Sequence, residues 1–276
     1  MKLIIDPRGG FAGDMFAAAL ISAGASESEM IDAMTIAANK IGNSSISAVK
    51  THDDATRLIM NIHHNHGHLA ASKARRILSE LLDTLNIKDD YAEFAHQILE
   101  HLIKAEKQAH AENTFLTDHH HSHHYHTHEG HHHHHDHTQD EGHHHHDHSH
   151  EEAWLHEAQD IIIDIIGAAK GLQLLNAPVK AELIAPVSLG GGTIKFSHGE
   201  MTAPAPATKI LIDKKNIPAQ TGPISVELCT PTGTAILAAL EVKLISTEIN
   251  IEGVITKGFS RGSKDLNIPP LGIYLK

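Results

Sequence analysis

Residues 154–175 read WLHEAQDIIIDIIGAAKGLQLL, and the reading of this stretch decides the fold. Ile161, Ile162, Ile163, Ile165, Ile166, Leu172, Leu174 and Leu175 crowd nearly every face, which predicts a helix from Trp154 to Leu175 lying deep in the core. Its internal acids, Asp160 and Asp164, are costly there unless paired or liganded. On one continuous helix His156, Asp160 and Asp164 share a face, being four and eight residues apart. With Glu157 at the helix entrance, His156, Glu157 and Asp164 form a candidate catalytic set for acid–base or metal chemistry. The competing reading is a surface cap with one paired core acid.

Toward the C-terminus, β-like runs at Lys180–Val187 and Thr193–Ser197 flank Gly190-Gly191-Gly192, and a short helix follows Pro206. A strand at Ile224–Leu228 then leads through Thr230-Pro231-Thr232-Gly233 into a helix over Thr234–Val242. Glu248–Leu275 reads as strand, glycine-rich turn and strand. Toward the N-terminus, the strand-like Lys2–Ile5 is followed by the loop Asp6–Asp14 and a helix from Met15 that stops before Gly24. Ser26 with Glu29 has capping-box spacing and opens a second helix through Lys40. Ser45–Lys50 reads as a strand, and His68–Leu85 and Tyr91–Ala111 as helices, the latter with Phe94, Ile98, Leu102 and Ala105 on one face. The class is α/β or α+β. A helix-rich first part (1–116) and a mixed β/α second part (153–276) are separated by an insert at 117–152.

The insert is the chemical outlier. From His119 to His150 it carries 19 histidines in 32 residues, with Tyr125 its one apolar side chain. With nothing to bury, such a segment is expected to be disordered without a ligand. Imidazole suits nickel, copper and zinc. The candidate ligands are His119, His120, His121, His123, His124, His131, His132, His133, His134, His135, His143, His144, His145 and His146, in many loose sites rather than one rigid sphere. Asp136, Asp147, Glu129 and Glu141 punctuate the run, which sets it apart from a purification tag.

Composition excludes several classes. The net charge of −12 argues against a nucleic-acid binder. A lone Cys229 leaves no disulfide framework and no CxxC zinc site. Aromatic residues make up 4% of the chain, too few for stacking platforms, and no apolar run approaches a membrane span. The opening Met1-Lys2-Leu3-Ile4-Ile5-Asp6 reaches an acid after three apolar residues, which predicts no signal peptide and a cytoplasmic protein.

Smaller motifs complete the candidate sites. His63, His64, His66 and His68 form a second histidine cluster; the last three alternate and share a side if extended, giving a structured site together with His52, with a solvated loop as the competing reading. The loop with Asp6, Gly9, Gly10, Gly13 and Asp14 joins strand to helix, where glycines and helix N–H groups suit a phosphate or the two acids a metal; a tight capped turn is the competing reading. His198, ahead of the extended Pro204-Ala205-Pro206, is placed for a pocket rim. Thr230 and Thr232 suit a phosphate, or an ordinary helix cap.

Taken in order, these segments resemble the LarC family, the nickel-insertion proteins of nickel-pincer cofactor biosynthesis. The resemblance rests on Asp6-Pro7 through Gly13-Asp14-Met15, HHNHGHL at His63–Leu69, Ala105-Glu106 through Ala109-His110, and Leu155-His156-Glu157 with Asp164-Ile165-Ile166-Gly167. It continues in His198-Gly199 through PAPAT and in ELCTPTG at Glu227–Gly233. It implies Ni²⁺ insertion into a pyridinium bisthiocarboxylate mononucleotide, forming two Ni–S bonds and one Ni–C bond, dependent on CTP with Mg²⁺ or Mn²⁺. The product would serve apo lactate racemase. Two departures stand out: the spacing from His156-Glu157 to Asp164 is about two residues shorter than the family's, and the family continues into a C-terminal CTP-binding domain. A separate C-terminal chain is therefore an expected partner. The alternative is a nickel storage or delivery protein without catalysis.

Overall fold

The structure, a computed structural model, describes residues 1–64, 68–112, 154–156, 160–196, 199–245 and 253–276. The chain opens with β1 (Leu3–Asp6), α1 (Gly13–Ser22), α2 (Glu27–Ala38), β2 (Gly42–Lys50) and β3 (Thr56–His64). Then come β4 (His68–Ala70), α3 (Ala71–Thr84), the long α4 (Asp89–Glu112), β5 (Trp154–His156) and α5 (Ile161–Leu174). Short strands β6 (Ala181–Leu183) and β7 (Val187–Ser188) precede the hairpin β8 (Thr193–Phe196) and β9 (Gly199–Thr202). The remainder is α6 (Pro206–Lys215), β10 (Ala219–Gln220), α7 (Pro231–Ala239), β11 (Lys243–Leu244), β12 (Thr256–Ser260) and β13 (Leu271–Leu275).

Seven strands form one mixed sheet in the order β11-β6-β1-β13-β12-β3-β2. β1 runs parallel to β6 and antiparallel to β13, which explains why all four of its residues are buried. Strands from 1–116 and from 153–276 share this sheet and one hydrophobic core. The protein is a mixed α/β fold. α1 and α2 lie on the sheet, and α5 packs against both, with α4 also against α5.

That position accounts for the apolar character of α5. Ile162, Ile163, Ile165 and Ile166 are fully buried, each contributing roughly 1.5–3 kcal/mol relative to an exposed side chain. Gly167 and Gly171, one turn apart, let α5 approach its neighbours closely: a methyl group at Gly167 would press on Ala17 and Met34, and one at Gly171 on Leu20. The Ser26 side chain accepts a hydrogen bond from the Glu29 N–H, as the capping spacing predicts.

Three local expectations are corrected. Trp154–His156 is not the first turn of the buried helix; it is a strand paired antiparallel with β4, with His156 opposite His68, Leu155 opposite Leu69 and Trp154 opposite Ala70. The ladder satisfies backbone groups that a helix would otherwise use, and α5 starts at Ile161. The four- and eight-residue spacing from His156 therefore places nothing on a common helical face. Ile224–Leu228 is not a regular strand but an irregular segment after the Gly222 turn, held by isolated bridges of Glu227 to Gly190 and of Cys229 to Phe11. His68 belongs to β4, and the helix expected from it begins at Ala71. The insert from His119 to His150 lies outside the described residues.

Candidate functional site

Four helix N-termini open onto one cavity of about 280 Å³. α1 contributes Ala12 and Asp14, α5 contributes Asp160, Ile161 and Asp164, α6 contributes Ala205, Pro206 and Ala207, and α7 contributes Thr230, Pro231 and Thr232. The N-cap residues Ala12, Asp160 and Ala205 make no side-chain cap. At α7, Thr230 Oγ1 accepts from the Gly233 N–H at 3.1 Å. Helix N-termini carry free N–H groups and partial positive charge, so their convergence favours anions.

The side chains supply the opposite charge. Asp14, Asp160, Asp164, Glu227 and Glu106 line the cavity together with His110, and among the described residues no lysine or arginine does. Ile194 and Met201 from the β8–β9 hairpin form an apolar wall. A second cavity of about 350 Å³ shares Ala12, Asp14, Asp160, Glu227 and Thr230 with the first and runs on to Arg261, Ser263 and Lys264. There Arg261 donates to Asp53 Oδ2 at 2.9 and 2.7 Å and to the carbonyls of Leu266 and Ile268. Its guanidinium holds the Asp53 carboxyl well below the usual carboxylate range.

Burial dominates the electrostatics of Asp164 and Asp14. Asp164 is 4% exposed. Desolvation, then the charges of Asp160 and Asp14, push its carboxyl well above the usual range. Asp14 is pushed up to about 6, chiefly by burial and further by Asp160, against the lowering pull of the Met15 N–H. Asp164 Oδ1 is buried with no hydrogen-bond partner among the described residues. Gly13 explains how α1 comes so near, since a methyl group there would overlap the Asp164 carboxylate.

The candidates from sequence divide as follows. Asp14 and Asp164 meet at the cavity, as do Thr230 and Thr232. Asp6 is bound in an ion pair with Arg8, whose Nε and Nη2 donate at 2.8 and 2.6 Å. Gly9 packs on the 269–271 backbone and Gly10, at φ +94°, on Leu228, so protein fills the space beside both. Backbone pairing sets His156 opposite His68, while His63 and His64 close strand β3. Glu157, His66 and His198 lie outside the described residues. Among the described residues, no three His, Cys, Asp or Glu side chains close on one point as a complete metal-ligand set.

Sequence reasoning had not placed Glu106, His110 and Glu227 in the site. Their signal was an acid–histidine pair four apart on an amphipathic helix, and an acid three residues before Thr230. α4 also connects the site to the histidine-rich insert. The chain leaves the cavity wall at His110, passes through residues 113–153, and returns to the wall at Asp160.

The family model described as "Nickel insertion protein" matches residues 3–129 and 136–271, and the chain belongs to that family. It is similar to the pyridinium-3,5-bisthiocarboxylic acid mononucleotide nickel insertion protein of Clostridium kluyveri, 41% identical over 120 residues, 43% of this chain and 28% of that one. The protein of the same name from Clostridium acetobutylicum is 42% identical over 120 residues, 43% of this chain and 27% of that one. A Myxococcus xanthus protein named "Putative nickel insertion protein" is 31% identical across 97% of this chain and 58% of its own length. The chain thus matches well under two thirds of each of these relatives. No solved structure matches it. No helix among the described residues is long and apolar enough to cross a membrane.

Proposed function

We propose that this chain performs the metal-handling part of nickel insertion into pyridinium-3,5-bisthiocarboxylic acid mononucleotide, the activity named for its clostridial relatives. One observation carries the reading: uncapped helix N-termini and a set of carboxylates, with Asp164 buried among them, surround the same cavity. A ring of N–H groups attracts an anionic ligand, and the carboxylates attract a cation, so the cavity favours the two together over either alone. An anionic bisthiocarboxylate and Ni²⁺ are such a pair. Nickel is the cargo. The histidine-rich segment gathers it through many exchangeable imidazole sites, and its covalent connection to residues of the cavity wall on both sides raises the local concentration there.

In this reading the insertion depends on CTP with a divalent cation, and the product passes to apo lactate racemase in the cytoplasm. The test is a single-turnover assay with purified chain, Ni²⁺, CTP and precursor, with and without a CTP-binding domain added to complement it. Metallated precursor in the complemented mixture is expected. Nickel binding with no metallation in either mixture would leave a storage or delivery protein instead.

A further inference from the structure

Asp164 is the most unusual polar group among the described residues. It occupies the first turn of α5, its carboxylate lies where a side chain on Gly13 would be, and one of its oxygens is buried without a partner. A carboxylate oxygen that makes no hydrogen bond loses the full cost of its desolvation. Folding retains this arrangement beside two further acids, Asp14 and Asp160, in a cavity where no lysine or arginine lines the wall among the described residues. The four N-termini soften the repulsion among the acids without supplying a ligand to the bare oxygen.

We infer that Asp14 and Asp164 form an open cradle for one divalent cation inside the folded body, distinct from the histidine-rich insert. This rests on the nickel-insertion reading and names where the cargo sits during transfer. Two carboxylates are fewer ligands than a closed site requires, and no third His, Cys, Asp or Glu among the described residues completes one. Water or a bound ligand takes the remaining positions, as at metal sites that must keep a position open. The choice of oxygen has a consequence for transfer. Carboxylate oxygens are hard donors that hold a borderline ion such as Ni²⁺ loosely compared with sulfur, so an incoming thiocarboxylate can take the metal from the cradle.

The hardness of the donors also supplies the test. Mn²⁺ suits carboxylates and lies low in the order of imidazole affinities, so it distinguishes the cradle from the histidines while leaving the chain intact. Titration of the full-length chain with Mn²⁺, followed by electron paramagnetic resonance of the free ion, should show one site per chain that one equivalent of Ni²⁺ vacates once the histidines are saturated. Asp164→Asn, which keeps the shape of the side chain, should weaken that site at least tenfold, and Asp14→Asn should do the same, with circular dichroism confirming the fold of each. Undiminished Mn²⁺ binding in both folded variants, or no Mn²⁺ site in the parent chain, overturns the cradle. That failure differs from failure of the nickel-insertion reading, which is decided by metallation of the precursor.

Discussion

Asp14 shows how one residue's surroundings govern its charge. Its carboxyl titrates near 6 in the fold against 3.8 for the free group, because burial and Asp160 both disfavour the anion. A carboxyl raised by folding contributes stability below its unfolded value and loses it as pH rises through the folded one. In metal-free buffer, Asp14→Asn should therefore match the parent chain's stability trend below about pH 4 and gain on it between about pH 4 and 6, levelling off above. Urea midpoints for both proteins at half-unit pH steps would check this; a constant difference across that window would show that Asp14 is not perturbed. The sequence disclosed Asp164 as an acid in an otherwise apolar helix, and Asp14 as an acid closing a glycine-rich strand-to-helix loop. It did not disclose that they meet. Their meeting depends on Gly13, whose missing side chain leaves room for a carboxylate 151 positions away.

At the level of the elements, α7 depends on its first residue. Thr230 accepts from the Gly233 N–H, receives a hydrogen bond from Thr234 Oγ1 at its carbonyl, and forms cavity wall at the same time. Thr230→Ala should cost about 1 kcal/mol, in the range usual for a lost N-cap, measurable by denaturant unfolding. Restoration by Thr230→Ser would assign the loss to the cap. Elements were legible where a pattern ran long. α5 announced itself by apolar residues on every side, and α4 by a single apolar face. Trp154–His156 did not, because three residues have no period of their own and their state follows from the β4 partner. Thr56–His64 went unread for another reason. Leu58, Met60 and Ile62 alternate as a strand should, but the histidines that end the run drew it into a ligand cluster instead of a sheet.

For the molecule as a whole, body and insert should separate experimentally. The described residues share one core to which the insert contributes nothing described, so deleting His119–His150 should leave the melting temperature nearly unchanged while most of the bound nickel is lost. Calorimetry and elemental analysis of the two proteins give both numbers. A large drop in melting temperature would make the insert a structural element. The opposing charges of the cavity were beyond the sequence's reach, because four helix starts separated by up to 218 residues along the chain, from Gly13 to Pro231, converge only once the layers have packed.

The order of the sheet also has a temporal consequence. β13 is wedged between β1 and β12, so the earliest strand to be synthesised finds one of its two neighbours among the latest. A nascent polypeptide must expose β1 to the chaperone-filled environment of the ribosome until residues near 275 have cleared the exit tunnel. The histidine-rich insert, translated more than a hundred codons before β13, is complete before that sheet can close.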